Sequence, residues 1–247
     1  MTNLFALLIL GFVLGIRHAT DPDHVIAVTT IVSRERTPVG ATAIGAAWGV
    51  GHTLTIMLVG GGIILFGWVI PPRLGLSMEF SVGIMLVALG IASLVAEARR
   101  AAVAGAMRSG AHRHSPPHDP AHPPLGWLDR TLGGLRSYRY FRPLIVGIVH
   151  GLAGSAAIAL LVLATIHSSA WALAYLLVFG IGTITGMMLM TAVIVIPFTR
   201  TGSQFARLGS RLRIASGILS VAFGLFIAYR MGIVSGLFTA NVQWTPQ

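Results

Sequence analysis

Six runs of mostly apolar residues divide this chain, each about as long as the 20-residue helix that crosses the hydrocarbon core of a bilayer. They cover residues 4–31, 39–70, 78–96, 143–166, 170–198 and 212–237. Hydrocarbon offers no hydrogen-bond partner, so a run buried in it must satisfy its own backbone, and a helix does so within a single segment. The predicted fold class is therefore all-α: a polytopic membrane helix bundle of about six transmembrane helices. Composition agrees, since only 10% of residues are charged, against about 25% in soluble domains. The apolar N-terminal run has no basic region ahead of it and no small-residue cleavage site, so it reads as a retained helix and not a signal peptide.

Charge sets the expected orientation. All 17 basic residues are arginine. They gather in the first connection (Arg34, Arg36), the fifth (Arg200, Arg207, Arg211, Arg213) and above all the third, which runs over residues 97–142. The second connection holds only Arg73, and the fourth has none. Positive loops stay in the cytoplasm, so the Arg-rich loops are expected there, both termini outside, and the protein in the cell (inner) membrane. Arginines gathered in loops between apolar spans argue against nucleic acid as a partner; membrane lipid is the expected surroundings.

An internal repeat is visible. Gly15-Ile16-Arg17-His18 corresponds to Gly147-Ile148-Val149-His150, Gly49-Val50-Gly51 to Gly180-Ile181-Gly182, and Gly83 and Gly90 to Gly217 and Gly224, at offsets of 132, 131 and 134 residues. The expected organisation is a three-helix repeat over residues 1–98, a flexible cytoplasmic loop over 99–141, and a second three-helix repeat over 142–247. A unit of three spans places its copy upside down in the bilayer. Inverted repeats with a site at their interface are typical of secondary transporters.

The chemistry concentrates in His18-Ala19-Thr20-Asp21-Pro22-Asp23-His24. Two imidazoles and two carboxylates are costly at membrane depth and mark an ion path. Imidazole nitrogen suits nickel, cobalt, zinc and copper. With no cysteine in the chain, thiolate sites are excluded and any ligands are nitrogen and oxygen. His18 and Asp21 are i, i+3 neighbours that share a helix face, and Asp21 and His24 are also i, i+3. Asp23 points elsewhere on an ideal helix, unless Pro22 breaks the turn and brings it round. Asp21-Pro22 also fits an N-cap followed by proline at the first helical position, which would make two short helices meeting here. His52, between glycines that admit a neighbouring helix, is the candidate third imidazole. His150, at the repeat position of His18, and Thr183, near that of His52, are candidates to line the pathway. His112, His114, His118 and His122 form a His-rich tract in the long loop, either a loop metal-binding group or a solvated linker. Glu79 and Glu97 are expected to face water at the ends of the third span.

His18-x4-Asp23-His24 resembles the signature of the nickel/cobalt transporter family of bacteria, archaea and fungi. Gly51-His52-Thr53 resembles that family's second histidine motif, and the His-rich loop is similar to those of related nickel and cobalt permeases and exporters. The resemblance covers mainly residues 11–60, together with the overall architecture. It implies that His18, Asp23 and His24 are essential to metal selection, with His52 following. Many members have eight spans with this motif in the second; here it falls in the first of six. Their second-half signature contains acidic residues, where this chain has none over residues 151–156.

The function expected is a secondary permease for a transition-metal dication, Ni²⁺ first and Co²⁺ second, bound by His18, Asp21, Asp23, His24 and His52. Mg²⁺ and Ca²⁺ prefer all-oxygen sites. The metal is cargo, and no cofactor is expected. A homo-oligomer and a cytoplasmic metallochaperone are candidate partners. No phosphate-binding loop of the Walker type appears, so the chain itself does not use ATP. Two alternatives stand beside this reading. One is a proton-coupled exporter of another small solute. The other is a metal-dependent intramembrane enzyme, against which the absence of a His-Glu-x-x-His helix counts; an enzyme is not expected.

Overall fold

The computed structural model describes residues 4–33, 35, 37–108, 138–152, 166, 168–199, 206–239 and 242–243. Seven α-helices account for nearly all of them: α1 (Leu4–His18), α2 (Pro22–Val32), α3 (Pro38–Phe66), α4 (Pro72–Arg108), α5 (Tyr138–Gly151), α6 (Ser169–Thr199) and α7 (Ala206–Tyr229), the last running into a π-helical turn, Arg230–Val234. The all-helical class read from the sequence is what the chain adopts.

Local sequence explains where the helices begin and end. α2, α3 and α4 each open on proline, whose missing N–H costs nothing in a first turn. α3 is capped by Thr37, whose hydroxyl accepts from the Gly40 N–H at 3.1 Å. It closes on Gly67 at φ 64°, a left-handed position that glycine takes without a Cβ clash. Its 29 residues extend about 43 Å at 1.5 Å per residue, the thickness of a bilayer with its headgroups.

α3, α4, α6 and α7 are each long and apolar enough to cross a membrane. α1 and α2 qualify only together, as a single span bent by 56°. The fourth expected span begins as α5, and its remainder, from residue 153 to 165, lies outside the described residues. So do Arg34, Arg36, Arg200 and the loop histidines His112, His114, His118 and His122.

The bundle is apolar outside and carries its polar groups within. Leu54, Leu58, Leu189, Val193, Leu219 and Leu225 are exposed, whereas His18, His24, His52, His150 and Thr183 are buried. α1 packs on α6, α3 on both α5 and α6, and α4 on α7. The seams are lined with glycine, as close helix approach in a membrane requires. Gly83 meets the backbone of Gly224 while Gly90 meets that of Gly217. Since the sequence repeat pairs Gly83 with Gly217 and Gly90 with Gly224, the two contacts are reciprocal. Hydroxyls add cross-links: Thr53 donates to the Gly180 carbonyl at 3.2 Å, Thr55 to that of Ile148 at 3.1 Å, and Ser220 to that of Leu86 at 2.8 Å.

One expectation is corrected. Glu79 and Glu97 do not face water; both are buried. α4 is far longer than the run that suggested it, so both residues fall within the helix and not at its ends. Glu97 accepts from Arg213 Nε at 2.7 Å and Nη2 at 2.9 Å and from the Ser210 hydroxyl at 2.6 Å. A bidentate, charge-assisted pair of this kind joins α4 to α7.

Candidate metal centre

The break between α1 and α2 builds the site. α1 ends at His18, and the chain turns through residues 19–21, where the Thr20 N–H bonds to the Arg17 carbonyl at 2.8 Å and the Asp21 N–H to that of His18 at 3.1 Å. Six residues apart on a continuous helix, His18 and His24 would stand on widely different faces, since each residue turns the helix by about 100°. Here their ring centroids are 4.7 Å apart. Asp21 occupies the N-cap position of α2, yet its side chain caps nothing. It accepts instead from His18 Nδ1 at 2.8 Å.

α3 delivers His52, its central residue, fourteen positions from either end. In a bilayer that α3 crosses, this is close to the midplane. His52 Nε2 is 3.0 Å from His18 Nε2. α5 delivers His150 near its end, where His150 Nε2 donates to Asp23 Oδ2 at 2.9 Å. The other oxygen of Asp23 accepts from His24 Nδ1 at 3.1 Å. Glycines set this depth of approach. A Cβ on Gly51 would overlap the Leu144 carbonyl oxygen, and one on Gly147 that of Trp48.

Four imidazoles from four helices thus form one cluster. Two groups hold three candidate ligand atoms within 4.8 Å of one another: His18, His24 and His52, and Asp23, His24 and His150. His24 Nε2, His52 Nδ1 and His150 Nδ1 are buried with no hydrogen-bond partner. Buried polar atoms are nearly always satisfied, and an exception calls for a reason such as an ion. The hydrogen bonds also assign tautomers. With Nδ1–H given to a carboxylate, His18 and His24 each keep Nε2 as a lone pair, the carboxylate–imidazole arrangement that orients metal-binding histidines.

Aromatic rings close the cluster on two sides. Phe179 of α6 lies 5.5 Å from His18, while Trp48 of α3 stacks on His24 at 6.0 Å and meets His150 edge-on at 5.5 Å. The sequence reading passed over both. Trp48 was discoverable, since it lies one turn before His52 on the same helix face.

Of the residues singled out in advance, the structure brings together His18, His24, His52, Asp23 and His150. Asp21 touches the cluster through His18 alone and is half-exposed. Thr183 is buried, but its hydroxyl donates to the Phe179 carbonyl of its own helix at 3.0 Å.

Over 236 residues the chain is 39% identical to the urease accessory protein UreH of Bacillus sp. (strain TB-90), an alignment that covers 96% of each protein. The chain belongs to the nickel/cobalt transporter family. The alignment reaches far beyond the motif-bearing residues 11–60 on which the resemblance rested, and takes in nearly the whole chain. Membership also makes this family member a multi-pass membrane protein. No protein-family model and no solved structure matches it.

Proposed function

We propose that this protein is a secondary transporter of a transition-metal dication, nickel first and cobalt second, whose ion is held at the centre of the bundle by His18, His24 and His52. The observation that carries the reading is the convergence of buried imidazoles from separate helices on one point, with ring nitrogens left unpartnered. Imidazole ligation selects against Mg²⁺ and Ca²⁺. His18 Nε2 and His52 Nε2, 3.0 Å apart, are close enough to ligate one ion, and imidazole nitrogen suits nickel, cobalt, zinc and copper. Kinship with a urease accessory protein points to nickel, the metal that urease maturation calls for.

The residues divide the work. The imidazoles replace the water shell of the ion. Asp23 and Asp21 supply negative charge beside it and hold the rings in register. Phe179 and Trp48 exclude water on either side. With the Arg-rich loops in the cytoplasm, as positive charge favours, the α3 N-terminus lies inside and Trp48, one turn before His52, stands on its cytoplasmic side. A carrier that releases the ion inward hands it to a cytoplasmic metallochaperone.

The test is uptake of Ni²⁺ and Co²⁺ into liposomes carrying the purified protein, with His18→Ala and His52→Ala beside the wild type. Uptake by the wild type and its loss in both folded variants is expected. Wild-type vesicles impermeable to both ions, with or without a pH gradient, would sink the proposal and favour a different solute.

A further inference from the structure

We infer that the ion occupies two successive positions within the centre, His18–His24–His52 and then Asp23–His24–His150, and that His24 carries it from one to the other. The inference rests on the transport reading and deepens it. Each trio brings its ligand atoms within 4.8 Å, and among the described residues no such group contains both His18 and His150. An ion with bonds of about 2.1 Å confines its ligand atoms to a sphere about 4.2 Å across. A single ion therefore does not take all the imidazoles at once. His24 is the member common to both trios; its ring centroid is 4.7 Å from that of His18, 5.0 Å from that of His52 and 4.2 Å from that of His150.

The two positions have different neighbours. The first contains His18, which packs on Phe179; the second contains His150, which packs on Trp48. They differ in chemistry too. The first offers three neutral nitrogens, and the second exchanges two of these for a carboxylate oxygen and the nitrogen of His150. A transport path has to bind its ion well enough to admit it and loosely enough, over several sites, to release it. A shared ligand meets both demands, because the ion is never stripped of all its ligands on the way. His150 Nδ1, buried and unpartnered, gives that ring a free nitrogen for the arriving ion while Nε2 stays bonded to Asp23.

The experiment compares Ni²⁺ binding by calorimetry, using the full-length protein in lipid nanodiscs, with Ni²⁺ uptake in liposomes. His52→Ala is expected to weaken binding by about tenfold or more. His150→Ala and His150→Gln are expected to leave affinity within about threefold of wild type while lowering uptake by about tenfold. Affinity that falls as far in both His150 variants as in His52→Ala would mean one undivided site. Unchanged uptake in both would put the second position off the path. Either result overturns the relay. A further readout does not depend on the His150 variants folding. X-ray absorption of Ni²⁺ on His52→Ala is expected to show an oxygen-richer shell as the ion settles at Asp23; a shell like that of wild type overturns the relay as well. Wild-type protein that neither binds nor admits Ni²⁺ would instead overturn the underlying transport reading.

Discussion

Gly147→Ala places one methyl group in the seam between α3 and α5. The new Cβ would overlap the carbonyl oxygen of Trp48 and stand 2.6 Å from Trp48 Cδ1 and 3.0 Å from the His52 amide nitrogen. Trp48 is fully buried, so its indole has nowhere to retreat, and α5 must move off α3 by about 1 Å to restore ordinary carbon contacts. His150 is three residues further along the same helix. A shift of that size lengthens its 2.9 Å bond to Asp23 to about 3.9 Å, beyond hydrogen-bonding reach. Overpacking of this kind costs about 1–3 kcal/mol, which for a chain of this length lowers the melting temperature by several degrees. Thermal unfolding in detergent and Ni²⁺ uptake in liposomes are the assays. Uptake is expected to fall by about tenfold, since misplacing a ligand by about 1 Å is costly to a site that must be preorganised. Gly105→Ala is the control: a Cβ there meets no atom within 4 Å, and both properties should stay at wild-type levels. Wild-type melting and uptake in Gly147→Ala would refute the argument that glycine sets the approach of α5 and, through it, the place of His150.

Three further outcomes follow from the same geometry. Asp23→Asn should weaken Ni²⁺ binding by about 10–100-fold, and Asp21→Asn by less, because Asp23 touches two imidazoles and Asp21 only one; equal losses by calorimetry would contradict this division. Glu97→Gln should cost about 1–3 kcal/mol by weakening its bonds to Arg213 and Ser210 while leaving Ni²⁺ affinity intact, and a double-mutant cycle with Arg213→Ala should be non-additive. Uptake should be lower at pH 5 than at pH 7: metal and protons compete for the same ring nitrogens, so binding weakens as the proton concentration rises. Equal initial rates at the two values, with the same membrane potential imposed, would argue against imidazole ligation.

Much of the site was legible because charge is so rare in this chain. His18, Asp23, His24 and His52 stand out against apolar surroundings, and the proline at position 22 signals the break that brings His24 beside His18. The weak point was helical spacing. A regular helix makes Asp21 the i, i+3 neighbour of each histidine and sends Asp23 away. In the bent span Asp23 reaches the cluster and Asp21 stays at its rim, bonded only to His18. His150 was detectable from the repeat, but nothing nearby in sequence pairs it with Asp23. Glu97 was misplaced for a different reason. A carboxylate at the end of an apolar run reads as water-facing, and only the arrival of Arg213 and Ser210 from α7 makes burial tolerable.

The amino-acid sequence alone determined that this is a bundle of membrane helices, roughly where each helix runs, and which side chains are too costly in hydrocarbon to lack a function. Those properties follow from local hydrophobicity and from proline and glycine acting on their own turns. The tertiary structure decided which helices meet and how closely, and hence which nitrogen faces which oxygen. That choice depends on close backbone contact at glycines, such as Gly147 against Trp48 and Gly51 against Leu144, and a few ångströms there separate four scattered histidines from a single cluster.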